Sequence, residues 1–229
     1  MPRILLINPN SNEATTRMMV TIAGNAAGDR VEVVGATATR SPKMIIEPIA
    51  LAAAAAEVIE IALANPDAYD GIIVAAFGDP GLDEIRARSH VPAVGIAESA
   101  MLEAADAGRR FGVATTTPDL ADQINARARA LGLGGQYTGI RLTDGDPNAV
   151  VADPERLRAA LAKAVQLCIE RDSAEAVIIG GGPLAQAALQ LQPLFPVPLV
   201  VPISAAVNRI VAIMSPLSSG GRAPPRPPR

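Results

Sequence analysis

The sequence predicts an α/β protein of two pseudo-symmetric, Rossmann-like parallel-sheet halves with a cleft between them. Three observations predict it. First, the chain repeats itself about a hundred residues apart: GIIVAAFGDPGL at 71–82 is matched by AEAVIIGGGPLA at 174–185. VPAVGIAESA from Val91 is likewise matched by VPLVVPISAA from Val197, and PRILLINPN from Pro2 by RRFGVATTT from Arg109. Second, short apolar runs alternate with helical stretches, the order that builds parallel sheets with helices on both faces. Third, 49% of residues are hydrophobic but only 2% aromatic, so the core is Ala, Val, Ile and Leu, as strands buried on both faces require.

The elements follow in order. Strands are expected at Ile4–Ile7 and Val31–Ala36, with a helix over Thr15–Ala27 between them. A loop rich in Thr, Ser and Pro spans 37–48, and Ile49–Ala64 is helical by composition and spacing. Gly71–Ala76 reads as a strand, FGDPG as a turn and Leu82–Arg88 as a short helix. Val94–Ile96 and Glu98–Ala107 complete the first half. In the second half Phe111–Thr115 is a strand, Pro118–Gly132 a helix, Tyr137–Leu142 a strand and Asp153–Asp172 a long helix. Val177–Ile179, Leu184–Leu191, Leu199–Val201 and Ala205–Met214 continue the alternation. Residues 1–100 form the first half and 101–204 the second. Residues 205–218 are expected to pack back on the first, and the Pro/Arg-rich tail 219–229 lacks the composition to join a core.

The bulk numbers exclude several functions. Net charge is −3, and no basic cluster is interleaved with stacking aromatics, so nucleic acid is not an expected partner. The apolar stretch 45–64 is broken by Glu47, Glu57 and Glu60, which argues against a membrane span. MPRILLINPNS enters a strand with no signal-peptide pattern, so a soluble, cytoplasmic protein is expected. A single cysteine, Cys168, excludes an internal disulfide and a cysteine metal cluster. Its place in AVQLCIE buries it on a helix beside Leu161 and Val165. No metal site is expected, and the partner expected is a small-molecule substrate bound by a homo-oligomer.

Ligands of open α/β sheets bind at the carboxyl ends of the strands. Four loops lie there. Asn8-Pro9-Asn10-Ser11 opens a helix and offers amides and carboxamides to an anion, or is an ordinary turn and N-cap. Thr115-Thr116-Thr117 is its counterpart in the second half. Ala76-Phe77-Gly78-Asp79 carries one carboxylate, which either acts as an acid/base or holds the amides of an Asp-Pro-Gly turn. Gly180-Gly181-Gly182 leaves its amides unobstructed and can form an anion nest or oxyanion site, or a tight strand-to-helix connection. Glu47, Glu98 and Ser204 either face the cleft or cap helices. His90 lies on a connection at the opposite edge of the sheet.

These motifs in this order, RILLINPNS, AAFGDPGL, VGIAESAM and FGVATTT, closely resemble the hydantoin racemases of the aspartate/glutamate racemase superfamily, over almost the whole chain. The resemblance implies two related α/β halves and a cofactor-free site between them, where one cysteine from each half faces the substrate α-carbon. Those two positions fall on Ala76 and Gly181. The resemblance therefore predicts the scaffold without its two-thiol mechanism. Asp79 and Glu47 are the remaining candidates for acid/base work. Three functions stay open: a racemase-family enzyme working beside a carbonyl with non-cysteine groups, a lyase or hydrolase with a glycine-loop oxyanion site, or a non-catalytic ligand-binding homologue. A carboxylate of raised pKa in the cleft favours the first two, and a cleft without titratable groups favours the third.

Overall fold

The computed structural model describes residues 1–215; the expected tail, like residues 216–218 before it, lies outside them. Two four-stranded parallel sheets carry the chain. The first contains β1 (Arg3–Asn8), β2 (Glu32–Thr37), β3 (Gly71–Val74) and β4 (Ala93–Gly95), in the order β2-β1-β3-β4. The second contains β5 (Phe111–Thr115), β6 (Tyr137–Leu142), β7 (Ala176–Ile179) and β8 (Leu199–Val200), in the order β6-β5-β7-β8. The helices are α1 (Glu13–Ala27), α2 (Pro48–Leu63), α3 (Leu82–Arg88), α4 (Ile96–Ala104), α5 (Ala121–Ala130), α6 (Pro147–Val151), α7 (Pro154–Glu170), α8 (Ala185–Leu191) and α9 (Pro202–Met214).

The register shows how the halves correspond. In the first, Ile7 pairs with Val74 and the Ala75 amide donates to the Ile7 carbonyl at 2.8 Å. In the second, Ala114 pairs with Ile179 and the Gly180 amide donates to the Ala114 carbonyl at 2.9 Å. Ala75 thus corresponds to Gly180, and Ala76 to Gly181. The repeated sequence windows, laid end on end, run two residues out of step with this pairing. An unbroken apolar run carries no internal mark of register; the sheet hydrogen bonds supply it.

Boundaries differ from expectation where caps decide them. β3 stops at Val74 rather than Ala76 because the chain bends into the 76–79 turn. α9 starts at Pro202 rather than Ala205, since proline in the first helical turn gives up no hydrogen bond. The short α6 was not anticipated, although Asp146 caps it through the Ala149 amide at 2.9 Å and Pro147 starts it. α1 is capped by Asn12, whose side chain accepts from the amides of Ala14 and Thr15 at 3.0 and 3.3 Å.

One apolar cluster joins the sheets: Ile4, Leu6 and Ile73 of the first share it with Val177 and Ile179 of the second, and with Ile203, Val207 and Ile210 of α9. α9 packs against α1, α4, β3 and β4, so the last described helix lies on the first half. Cys168 is fully buried in the same cluster. Among the described residues no helix is long and apolar enough to cross a membrane.

Glu57 of α2 holds down the loop that follows β2. Its carboxylate accepts from the Thr39 amide at 2.7 Å, the Thr39 hydroxyl at 2.8 Å and the Arg40 amide at 2.9 Å. Glu57→Ala leaves these donors to water and releases the loop, and we expect it to lower unfolding free energy by about 1–2 kcal/mol in denaturant titrations.

Candidate functional site

A cleft opens between the carboxyl ends of β3 and β7. It leaves about 50 Å³ for the centres of water-sized atoms. One wall is the first-half turn Ala75-Ala76-Phe77, and the facing wall is Gly180-Gly181-Gly182-Pro183-Leu184. Asn10, Thr116 and Thr117 supply polar side chains, while Met44, Ile45, Leu51, Leu120 and Ile124 close the remainder with apolar surface. Ala76 and Gly181, equivalent by register, line the same cleft.

The lining is unusual in its donors. The Gly180 amide is spent on the sheet, but those of Gly181 and Gly182 meet no acceptor among the described residues, nor do those of Ala76 and Phe77. Asn10 accepts twice through Oδ1, from Asn8 Nδ2 at 2.9 Å and the Asn12 amide at 3.0 Å, which leaves its own Nδ2 uncommitted. The glycines are needed for packing as well. A Cβ on Gly182 would lie 2.7 Å from the Met19 sulfur, and one on Gly180 would lie 2.9 Å from Val113. Gly181 has φ +144°, a conformation side-chain-bearing residues rarely adopt.

Several expected ligand contacts stand behind the wall rather than in it. Asn8 is fully buried, its Nδ2 donating to Asn10 Oδ1, the Asn12 carbonyl and Thr16 Oγ1. It builds the loop that presents Asn10. Ser11 bonds through its amide to the Pro42 carbonyl and does not line the cleft. Thr115 turns inward and donates to the Gly180 carbonyl at 2.7 Å, tying β5 to the glycine loop. Gly78 packs under Leu51, whose Cδ2 a Cβ would meet at 2.7 Å.

Neither carboxylate candidate lines the cleft. Glu47 is the exposed N-cap residue of α2, and its extended backbone leaves Met44 and Ile45 to face the cleft instead. Asp79 is buried with φ +51°, and both its oxygens are engaged: Oδ1 accepts from the Ala97 amide and Oδ2 from the Glu98 amide, each at 2.9 Å. It caps α4 from another loop, because Gly95 at the helix's own N-cap has no side chain. A Cβ on Gly95 would run into the Asp79 carboxylate. Arg127 of α5 also reaches Asp79 Oδ2, at 3.2 Å.

The other titratable candidates also lie elsewhere. Glu98 is buried and bound by Arg86 and Arg127, Ser204 is half-buried outside the lining, and His90 is exposed near Asp67. The Cys168 thiol, on α7, is pushed up to about 12 mainly by burial. No titratable side chain lines the cleft among the described residues. Sequence reasoning missed the apolar wall and Arg127. The wall comes from loops and helix ends without periodicity, and Arg127 sits in an ARARA run whose inward face only the fold selects.

The cleft lies between the strand ends of two parallel sheets, where α/β folds of this class take their ligands. The Asp/Glu/Hydantoin racemase family profile matches residues 4–210. The hydantoin racemase of Paenarthrobacter aurescens is 28% identical over 209 residues, 89% of this chain and 87% of that protein. The allantoin racemase from Klebsiella pneumoniae superposes with a TM-score of 0.87 at 28% identity, covering 96% of this chain and 92% of its own. That from Pseudomonas fluorescens gives 0.87 at 26%, covering 99% and 98%. The chain belongs to the Asp/Glu/hydantoin racemase family, and it is a hydantoin racemase-like member among isomerase-type enzymes.

Burial, opposed by the Arg127 charge and the amides of Ala97 and Glu98, raises the Asp79 carboxyl from 3.8 to about 6. A group that holds its proton more tightly folded than unfolded stabilises most below its unfolded pKa, and that contribution declines as pH rises to the folded one. The unfolding free energy of the native chain minus that of Asp79→Asn should therefore fall between pH 4 and 6 and level off above 7. A difference independent of pH would show that the carboxyl is not shifted upward.

Proposed function

We propose that this chain is a hydantoin racemase-like enzyme that binds a small hydantoin, cyclic imide, ureide or carboxylate and exchanges the proton on the carbon beside its carbonyl without a pair of thiols and without a cofactor. The observation that carries this reading is the set of uncommitted amides at Ala76, Phe77, Gly181 and Gly182 around an apolar cleft. Removing a proton beside a carbonyl places negative charge on the carbonyl oxygen. Fixed amide donors favour that charge, each contributing on the order of 10²–10³ in rate where the oxyanion sits between them. The Asn10 carboxamide and the Thr116 and Thr117 hydroxyls orient the ring.

Proton removal and return then fall to hydroxide and water. The positions assigned to thiols by resemblance are Ala76 and Gly181, and the chain's one cysteine sits inside the core. Asp79 and Glu47 take no part in the transfer, since one is committed to α4 and the other is exposed. A second reading, ligand binding without turnover, is favoured by the lack of any titratable side chain in the lining.

The test is α-deuterium incorporation into a panel of 5-substituted hydantoins and cyclic imides in D₂O. Catalysed exchange is expected to rise in proportion to hydroxide, to survive a thiol-alkylating agent, and to drop at least about tenfold in Gly181→Ala, which strains the loop and displaces its amide donors. Alkylation-sensitive exchange would refute the thiol-free route. A saturable rise in melting temperature with no exchange above buffer would establish the binding reading instead.

A further inference from the structure

The two contacts that join the halves beside the cleft differ in chemistry. On one side α1 of the first half meets residues 182–184 of the second, and the contact is apolar: Met19 and Leu184 are both buried in the shared cluster. On the other side α5 of the second half meets the first, where Ile124 and Ala128 pack with Phe77, Ala97 and Met101 and an ionic set is added to that apolar contact. Arg127 Nη2 lies 2.9 Å from Glu98 Oε2 and 3.2 Å from Asp79 Oδ2. Glu98 is also bound by Arg86 of α3, and Arg209 Nε of α9 lies 3.8 Å from it. These groups, with the α4 amides, are what faces the pair of carboxylates from α3, α4, α5 and α9. By the register, Leu184 and Ser204 occupy the places of Asp79 and Glu98 in the other half, so the ionic set exists once.

Its placement matters to the cleft. Ile124, one turn before Arg127 on α5, lines one wall, and the 76–78 turn that ends at Asp79 forms another. We propose that Arg127 is a positioning residue, a pin that ties α5 to Asp79 and Glu98 and so fixes the separation of these two walls. Removing the charge on either side of the pin loosens this side of the cleft and leaves the Met19 side closed. The inference does not depend on which molecule fills the cleft.

Hydrogen–deuterium exchange on the full, ligand-free chain tests it, with rates corrected for the intrinsic effect of pH. In Arg127→Met, amides of 75–81 and 121–130 should exchange on the order of tenfold faster, as a local opening that precedes global unfolding, while those of α1 and 182–184 keep their native rates. Arg127→Lys, which keeps the charge, should restore most of the protection. Should Arg127→Met fail to fold, Arg127→Gln, which keeps a polar head without the charge, is read in the same way. Acceleration spread evenly over the chain, or confined to α5 with 75–81 unchanged, would overturn the pin.

Discussion

The structure depends on one buried carboxylate. Helix α4 begins at the end of β4 on a glycine, and its first amides would be left without partners in the interior. Asp79 reaches them from a turn that lies 18 residues earlier and satisfies two at once. Holding that position requires a left-handed backbone at Asp79, no side chain on Gly95 and a counter-charge from Arg127. The same turn presents Ala76 and Phe77 to the cleft. A single interaction therefore starts a helix, shapes a wall of the site and links the halves. The second half solves the equivalent problem differently: α9 starts with Pro202, which has no amide to satisfy, and an apolar Leu184 stands where Asp79 would be.

That asymmetry frames the chemistry. The duplicated sheets bring two equivalent strand ends together and set backbone donors around one space. Catalysis by fixed dipoles needs no titratable lining, and it works best where water is scarce. In the proposed reading, the apolar lining of Met44, Ile45, Leu51, Leu120 and Ile124 raises the strength of each amide contact. Membership of the racemase family and the 0.87 TM-scores to two allantoin racemases tie this architecture to isomerase-type enzymes.

Much of the fold was legible because it is written in patterns of short range. Apolar runs of four to six residues marked the buried strands, and the repeat fixed their common topology. The expected helix starts, Thr15 and Asp153, fall within two residues of those of α1 and α7. What could not be read was whatever depends on distant partners. Asp79 looked equally like a base or a turn residue, and only the Ala97 and Glu98 amides across the turn distinguish the two. Asn8 and Thr115 looked like ligand contacts because they are polar at strand ends, yet their hydrogen bonds run inward to Thr16 and Gly180. The cleft's apolar surface arrives from five separate segments, none of which signals the others.

The backbone at Gly181, with φ 144° and ψ 133°, bears on the history open to this site. While a residue with a Cβ stands at that position, the loop must keep to the conformations such residues tolerate. Once glycine is there, the chain can settle into a shape closed to every other amino acid, at an expense of about 1–3 kcal/mol to anything that returns. Leu184 lies 3.3 Å from where the Cβ would be. Loss of a side chain here works as a ratchet: the forward step is one codon, and the return needs the loop and its neighbour to be rebuilt first.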